Sequence, residues 1–314
     1  MKKVLSLLSA FALLFAATGC TLLRVSVSEE VQPLTERVIA GEGRDKILLL
    51  DISGFISSSR ERGSLLGGEK EPGLLAQVRE QLDRARADHA VKAVVLRINS
   101  PGGGVTASDV LYHEIKKFKQ ETGIKVLAHI MDTGTSGAYY AALAADRITA
   151  QPTSVTGSIG VIMYSFDATG LLQKIGVRPT EISSGNRKGM GSPFRPLAPE
   201  ERAIFQNLID SLQGRFVNLV AEARKLPLDT ARKLADGRIY TSQEALASGL
   251  IDGIGYVDDT IDQAKKLAGL DHASVVTYYR PGEYRSNVYS LNLVNIDMGL
   301  PVEPGTHFLY LWWP

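Results

Sequence analysis

Short apolar runs alternate along the first half of the chain with longer segments in which apolar residues recur every three or four positions. The runs over 46–56, 91–98 and 124–131 contain few polar side chains, which is typical of strands buried on both faces of a sheet. The segments over 74–88 and 106–119 have the helical spacing, with charged residues between the apolar ones. This alternation of strands and helices predicts an α/β fold built around a parallel sheet.

The second half of the chain is predicted to be mainly helical. Pro199-Glu-Glu begins a segment with apolar residues at helical spacing that continues to about Lys225. Three shorter helices are predicted near 229–236, 241–248 and 256–268. A long helical part is therefore expected to follow the alternating strands and helices.

The N-terminal residues have the pattern of a bacterial export signal, a positive start followed by an apolar stretch over 4–18. Residues 17–20 (ATGC) resemble a bacterial lipobox, so we expect 1–19 to be a lipoprotein-type signal peptide and Cys20 to be lipidated. The alternative is a retained anchor, because 4–23 contains no charge and about 20 apolar residues suffice to span a bilayer. Both interpretations place the body in the bacterial cell envelope, membrane-anchored on the periplasmic side.

Composition divides the rest of the chain into three parts. Residues 20–45 are polar, lack a firm periodicity and are expected to form a tether. Residues 46–270 carry the strand and helix patterns and are expected to form the folded domain. Residues 271–314 are expected to be an extension, and its apolar tail FLYLWWP (308–314) contains both tryptophans.

Charge and motif content exclude several classes of function. The formal net charge is +1 and no basic stripe is apparent, which argues against a nucleic-acid-binding protein. The chain contains one cysteine, so it forms no internal disulfide. Neither a GxGxxG nor a Walker sequence is present, and we expect neither a cofactor nor a metal.

A serine at a predicted junction between a strand and a helix is the first candidate for chemistry. Ser136 follows the apolar run over 124–131 and begins an Ala-rich helical segment, so it is either a helix N-cap or a nucleophile; local geometry alone favours the cap. The segment 99–104 (NSPGGG) ends another strand, and its backbone N–H groups are suited to bind developing negative charge. Ser158 adds another hydroxyl before a further apolar run. Together these features predict an acyl-transfer site.

The base for such a serine is not evident from the histidines. His129 lies within a predicted strand, and only His272 or His307 would follow a GxSxG-like nucleophile in the order that an α/β-hydrolase requires. Lysine is the alternative, because Ser-Lys pairs also catalyse acyl transfer. Lys188 lies in a Gly- and Ser-rich loop where no helix end explains its charge, although an ordinary solvated lysine is an equally good interpretation of that position.

Five motifs occur together in an order that resembles the signal peptide peptidase A family of serine peptidases. They are NSPGGGV (99–105), TSGAYYAALAADRI (135–148), TSVTGSIGVI (153–162), SSGNRKGMGSP (183–193) and GRIYTSQEALASGLIDGIG (237–255). The resemblance implies that Ser136 is the nucleophile, Lys188 the general base and Ser158 a hydrogen-bond partner of the lysine amine. It also implies an oxyanion hole built from the backbone of Gly102 and Gly103.

The same resemblance implies a fold, an assembly and a substrate. The fold would be the caseinolytic protease/crotonase-like spiral of β-β-α units, with 46–270 as the peptidase domain. The assembly would be a ring-like homo-oligomer such as an octamer, in which adjacent protomers contribute nucleophile and base. The substrates would be remnant signal peptides and similar apolar peptides. Because a lysine accepts a proton only as the neutral amine, which exclusion of water favours, Lys188 is expected to be shielded from solvent in the assembled enzyme.

Two other functions and three roles of the tail stay open at this point. A crotonase-like enzyme acting on acyl-CoA would use a comparable oxyanion loop, and a catalytically idle, peptide-binding envelope lipoprotein would need no base. The tail over 308–314 is expected to dock on its own or a neighbouring subunit. The alternatives are that it rests in the membrane interface or enters the peptidase groove as a mimic of substrate.

Overall fold

The computed structural model of the chain describes residues 32–58, 73–280, 287–289 and 308–312. The predicted signal peptide and the lipidation site Cys20 lie outside the described residues and stay predictions. Among the residues that are described, no helix combines the length and hydropathy needed to cross a membrane.

The strands and helices follow the predicted order. The strands are Thr35–Ala40 (β1), Lys46–Ser53 (β2), Val91–Ser100 (β3), Gly102–Gly104 (β4), Lys125–Thr135 (β5), Arg147–Ala150 (β6), Val155–Gly157 (β7), Ile162–Met163 (β8), Ile239–Thr241 (β9), Gly253–Ile254 (β10), Ser274–Tyr279 (β11) and Phe308–Leu311 (β12). The helices are Leu74–Ala87 (α1), Val105–Thr122 (α2), Gly137–Ala142 (α3), Thr169–Lys174 (α4), Pro199–Arg224 (α5), Leu228–Leu234 (α6), Ser242–Ala247 (α7) and Val257–Ala268 (α8).

Parallel pairing dominates the main sheet. Within the described ranges, nine strands join in the order β1-β11-β2-β3-β5-β6-β10, with β7 beside β5 and β9 beside β7. The pairs are parallel except for β1 with β11 and β7 with β9. The strands β4, β12 and β8 form a second, antiparallel sheet. The predicted α/β class is confirmed.

Side chains of the central strands alternate between two apolar cores, one on each face of the main sheet. In β2, Leu48 and Leu50 belong to one core, whereas Ile47 and Leu49 belong to the other. Helices α1, α2, α3 and α5 contribute to the first core and α8 contributes to the second. Because both faces are covered, these strands are apolar at successive positions, and that is the pattern from which they were predicted.

Three of the described strands, β1, β11 and β12, lie outside the predicted folded domain over 46–270. Residues 35–40, which belong to the predicted tether, form β1 and pair with β11, so this part of the tether prediction is wrong. The strand β11, within the predicted extension, lies between β1 and β2 in the main sheet. The edge strand β1 is partly exposed and has mixed side chains, so it shows no apolar run.

His129 in β5 has a structural role. The side chain is fully buried, and its Nδ1 lies 3.0 Å from Thr149 Oγ1 and 2.9 Å from Thr260 Oγ1. Burial lowers the pKa of His129 from 6.5 to about 4. The imidazole therefore helps to join α8 to the sheet and is not a base for Ser136.

Because of His129, we expect the free energy of unfolding to decrease as the pH falls from about 6.5 to about 4. In this window the imidazole of the unfolded chain binds a proton and that of the folded chain does not, so protonation favours unfolding. The full effect is about 3 kcal/mol, at ~1.36 kcal/mol per pKa unit. Denaturant titrations at several pH values should show a weaker pH dependence for His129→Gln than for the wild type. The exposed His113 supplies the control, and His113→Gln should keep the wild-type dependence; equal pH dependence in all three proteins would show the expectation to be wrong.

Candidate active site

Ser136 forms a sharp turn between a strand and a helix. It is the single residue between β5 and α3, and its backbone has φ 52° and ψ −116°. A positive φ is strained for a residue with a side chain and costs on the order of 1–3 kcal/mol. The Ser136 N–H donates to Gly157 O at 2.7 Å, and the Ser136 carbonyl accepts from Tyr140 N at 2.9 Å, so both flanking elements hold the turn.

The side chain of Ser136 does not act as a helix cap. No side-chain hydrogen bond caps α3, so the N-cap interpretation that the local sequence favoured is wrong. The residue is only 1% exposed, and its hydroxyl has no hydrogen-bond partner among the described residues. A buried hydroxyl without a partner is costly, and a strained backbone adds to that cost. A nucleophilic serine accounts for both features.

The glycine loop approaches the turn at Ser136 more closely than side chains would permit. Gly102 has φ 101°, and a Cβ there would lie 2.1 Å from Tyr310 O and 2.8 Å from Gly137 N. A Cβ on Gly137 would lie 2.2 Å from Ser108 Oγ and 3.2 Å from Gly103 N. The backbones of β4 and of the start of α3 are therefore in direct contact beside Ser136.

The contact brings a further N–H group to the site. The sequence predicted Gly102 and Gly103 as oxyanion-binding residues but did not single out Gly137. Its N–H directly follows Ser136, at the first residue of α3, and borders the same space as Gly102 and Gly103. One feature of the sequence could have indicated this role. Gly137 lies at the start of the Ala-rich helical segment, and the first N–H groups of a helix have no partner within the helix.

Ser158 lies beside Ser136 at the ends of two paired strands. In the parallel pair of β5 and β7, Thr135 is opposite Gly157, so Ser136 and Ser158 each follow a paired residue. Ser158 is 7% exposed, has φ 48° and donates its N–H to Arg238 O at 2.7 Å. The two predicted hydroxyls are thus neighbours in the fold, each on a strained backbone.

Lys188 is not brought into this site within one chain. Its side chain is exposed, and no hydrogen bond or ion pair joins it to Ser136 or Ser158 in the described part of the chain. The loop that carries it is attached to α5, because Arg195 binds both carboxylate oxygens of Glu201, at 2.9 and 2.6 Å. The predicted role of Lys188 stays a prediction.

The segment around Lys188 presents large apolar side chains to solvent. They are Tyr164, Phe166, Leu171, Ile175, Val177, Ile182 and Phe194, which are between 46 and 96% exposed. A surface with so many exposed apolar side chains is typical of a site that binds another protein or a membrane.

The C-terminal strand β12 lies against the glycine loop of its own chain. It is antiparallel to β4 on one side and to β8 on the other, with Tyr310 opposite Gly103 and Leu309 opposite Ile162. Trp312 N donates to Pro101 O at 3.0 Å. The described part of the tail therefore docks on its own subunit, beside Ser136.

The sequence of this chain is similar to those of known peptidases. The sequence pattern of peptidase family S49 matches residues 118–271, a range that contains Ser136, Ser158 and Lys188. A protein of Enterococcus faecium that carries the name signal peptide peptidase SppA is 36% identical over 246 residues, which are 78% of this chain and 70% of that relative. Most of both chains is therefore covered by the similarity.

Two longer relatives are also similar to this chain. Serine protease SPPA, chloroplastic, of Arabidopsis thaliana is 35% identical over 239 residues, which are 75% of this chain and 34% of that protein. Protease 4 of Salmonella typhi is 35% identical over 222 residues, which are 70% of this chain and 36% of that protein. The chain thus spans about a third of the length of these two relatives.

Gly102→Ala is expected to separate the glycine loop from Ser136, because the added Cβ would clash with backbone atoms of Tyr310 and Gly137. Labelling of Ser136 by a fluorophosphonate should slow on the order of a hundredfold, the size of the effect of losing an oxyanion donor. Gly214→Ala in α5 is the matched control, since no heavy atom lies within 4 Å of its added Cβ. That variant should keep the labelling rate and gain roughly 0.5–1 kcal/mol of stability. Equal labelling of both variants would argue against the close contact.

Proposed function

The chain belongs to peptidase family S49, and from this premise we propose that it is a membrane-tethered serine endopeptidase that degrades remnant signal peptides and similar apolar peptides. The observation that carries the proposal is the strained, buried Ser136, whose neighbour Gly137 is in direct contact with the glycine loop. The names of the relatives favour a peptidase over a crotonase-like acyl-CoA enzyme or a catalytically idle, peptide-binding lipoprotein.

The proposed reaction begins with attack of Ser136 Oγ on the carbonyl carbon of a substrate peptide bond. The amine of Lys188 accepts the hydroxyl proton, and the Ser158 hydroxyl accepts a hydrogen bond from the amine and orients it. The carbonyl oxygen, which becomes negative, is stabilised by backbone N–H groups of the glycine loop at Gly102 and Gly103 and by the N–H of Gly137. Lys188 then gives its proton to the leaving amine, and water hydrolyses the acyl-enzyme with the same lysine as base.

The base in this proposal comes from an adjacent protomer of a ring-like homo-oligomer such as an octamer. Two observations support it: Lys188 is exposed in the single chain, and the segment around it presents the apolar side chains that a subunit interface would cover. Covering this surface removes water from the amine and favours its neutral form, which a general base requires.

The proposed fold is the caseinolytic protease/crotonase-like spiral, and the proposed location is the periplasmic side of the cell envelope. The parallel strands β2, β3 and β5 support the fold, and two of them lead into the site, β3 to the glycine loop and β5 to Ser136. The apolar stretch over 4–18 and the lipobox-like residues before Cys20 support a membrane tether.

Conversion of Cys20 to Ala should move the protein from the membrane fraction to the soluble fraction if lipid is the anchor.

We expect Ser136→Ala and Lys188→Ala each to lower the cleavage of a signal-peptide substrate by roughly a thousandfold or more, because each removes one member of the nucleophile–base pair. Lys174→Ala is the control, since Lys174 is also an exposed lysine but lies at the end of α4, and it should retain activity. Near wild-type turnover of Lys188→Ala would refute the assignment of the base.

Mixing the two inactive variants tests whether the pair is shared. After dissociation and joint reassembly, some interfaces combine an intact Ser136 with an intact Lys188 from the neighbour, so part of the activity should return. Each variant taken alone through the same treatment should stay inactive. A mixture that stays inactive, although it assembles like the wild type, would place both residues in the same protomer.

A further inference from the structure

Arg195 joins the two ends of the loop that carries Lys188. Its guanidinium donates to both carboxylate oxygens of Glu201, at 2.9 and 2.6 Å, and its Nε lies 3.4 Å from Glu181 Oε2. Glu181 precedes the loop over 183–196, and Glu201 follows it in the first turn of α5. One side chain therefore holds the loop at its beginning and at its end.

The fixed point of this arrangement is a buried carboxylate at the start of α5. Glu201 is 5% exposed and also accepts from the Ala198 N–H at 3.2 Å. The helix dipole favours a negative charge in the first turn, and the hydrogen bonds from Arg195 hold the pKa of Glu201 below its usual value. Because the backbone of the helix fixes the Glu201 carboxylate, that carboxylate gives Arg195 a defined position.

Glu181 lies directly against the backbone next to Lys188. A Cβ on Gly189, the residue after Lys188, would lie 2.2 Å from each carboxylate oxygen of Glu181. The carboxylate therefore fills the space beside the Cα of Gly189. An anion this near to the base favours the ammonium form of the lysine, which cannot accept a proton. A peptidase that uses Lys188 as its base is therefore helped by a cation that balances the charge of Glu181.

The tip of the loop is held by short-range hydrogen bonds. Lys188 N donates to Gly185 O at 3.0 Å, and Met190 N donates to Arg187 O at 3.1 Å. Each of these bonds joins residues three positions apart, so they stiffen the tip but do not connect it to α5. The direction in which the loop presents Lys188 therefore depends on the contacts at the two ends of the loop.

Two further charged groups lie in the loop or against it. Arg187, within the loop, acts electrostatically on Glu201. The start of α4 meets the loop where Ala168 N donates to Pro193 O at 2.8 Å, and Asp167 directly precedes that residue of α4. Arginines and carboxylates keep their charge between about pH 6 and 10. These groups therefore add a constant field over the pH range in which a lysine base is titrated.

From these observations we propose that Arg195 is a positioning residue for the general base. It ties the loop of Lys188 to α5 and balances the charge of Glu181, so that the amine reaches Ser136 in its neutral form. The hydrogen bonds and ion pairs of Arg195 within the described residues go to Glu181, Glu201 and its own loop, so it acts through Lys188 and not on the substrate. The inference rests on the proposed peptidase function and adds a third residue to the proposed pair.

The pH dependence of signal-peptide cleavage by the full chain tests the balance of charge. Arg195→Gln leaves Glu181 without its cation, so the acid limb of the kcat profile should move by about one pH unit to the alkaline side. This shift is about a tenfold loss of kcat at neutral pH, with little loss at alkaline pH. Glu181→Gln should move the limb in the opposite direction, and the double variant should return it close to the wild-type position. KM should stay unchanged in all three variants.

Two further variants separate the charge of Arg195 from its geometry. Arg195→Lys keeps the charge but cannot bind two carboxylates with a planar fork, so the limb should stay in place while kcat falls roughly threefold. Arg232→Gln is the matched control, because Arg232 also forms an exposed ion pair, with Asp229 in α6 at 3.2 Å. Its kcat and its limb should stay at the wild-type values. Size-exclusion chromatography checks that each variant assembles like the wild type.

The possible failures are distinguishable. Wild-type kcat of Arg195→Gln at every pH would overturn the positioning role and leave the peptidase function standing. An equal loss of kcat at every pH, with the limb in place, would overturn the balance of charge. If Arg195→Gln does not assemble, Glu181→Gln decides the question, and an unshifted limb in that variant would overturn the inference. No cleavage by the assembled wild type, or full activity of Lys188→Ala, would overturn the proposed function itself.

Discussion

The site depends on a close approach of two backbones, the glycine loop over β4 and the turn at Ser136. A Cβ on Gly102 would clash with backbone atoms of Tyr310 and Gly137, and one on Gly137 would clash with Ser108 Oγ and lie 3.2 Å from Gly103 N. The hydrogen bond from Ser136 N to Gly157 O ties the same turn to the strand that leads to Ser158. These contacts bring two serines and several backbone N–H groups close together. The arrangement strains the backbone at both serines, Ser136 and Ser158.

The long helix α5 is the framework that connects the parts of this site. Its first turn binds the loop of Lys188 through the pair of Arg195 and Glu201. In its middle, Gln213 donates to Ile159 O at 3.3 Å and to Ala235 O at 2.8 Å, which links the helix to the segment of Ser158. One turn further, the ring of Phe216 packs on that of Tyr310 in β12, with 4.8 Å between the ring centroids. A shift of α5 would therefore move the loop, the second serine and β12 together.

Much of the fold followed from the sequence because the central strands are buried on both faces. The predicted strands over 91–98 and 124–131 correspond to β3 and β5, and the predicted long helix from Pro199 corresponds to α5. The sequence did not identify β1, because an exposed edge strand needs no continuous apolar run. It favoured a helix cap at Ser136, since the same residue type serves both as a cap and as a nucleophile; the structure shows a positive φ there and no side-chain capping hydrogen bond.

The sequence alone determined the α/β class, the strand–glycine–helix junctions and the resemblance to the signal peptide peptidase A family, which the family match and the named relatives confirm. These features are local: each depends on periodicity or on residues that are adjacent in the chain. Only the tertiary structure decided that Gly137 joins the glycine loop, that His129 is buried beside Thr149 and Thr260, and that the ring of Tyr310 stacks on that of Tyr140. Each of these contacts joins residues distant in sequence or depends on the packing of separate elements, and no pattern along the chain encodes the distance between them.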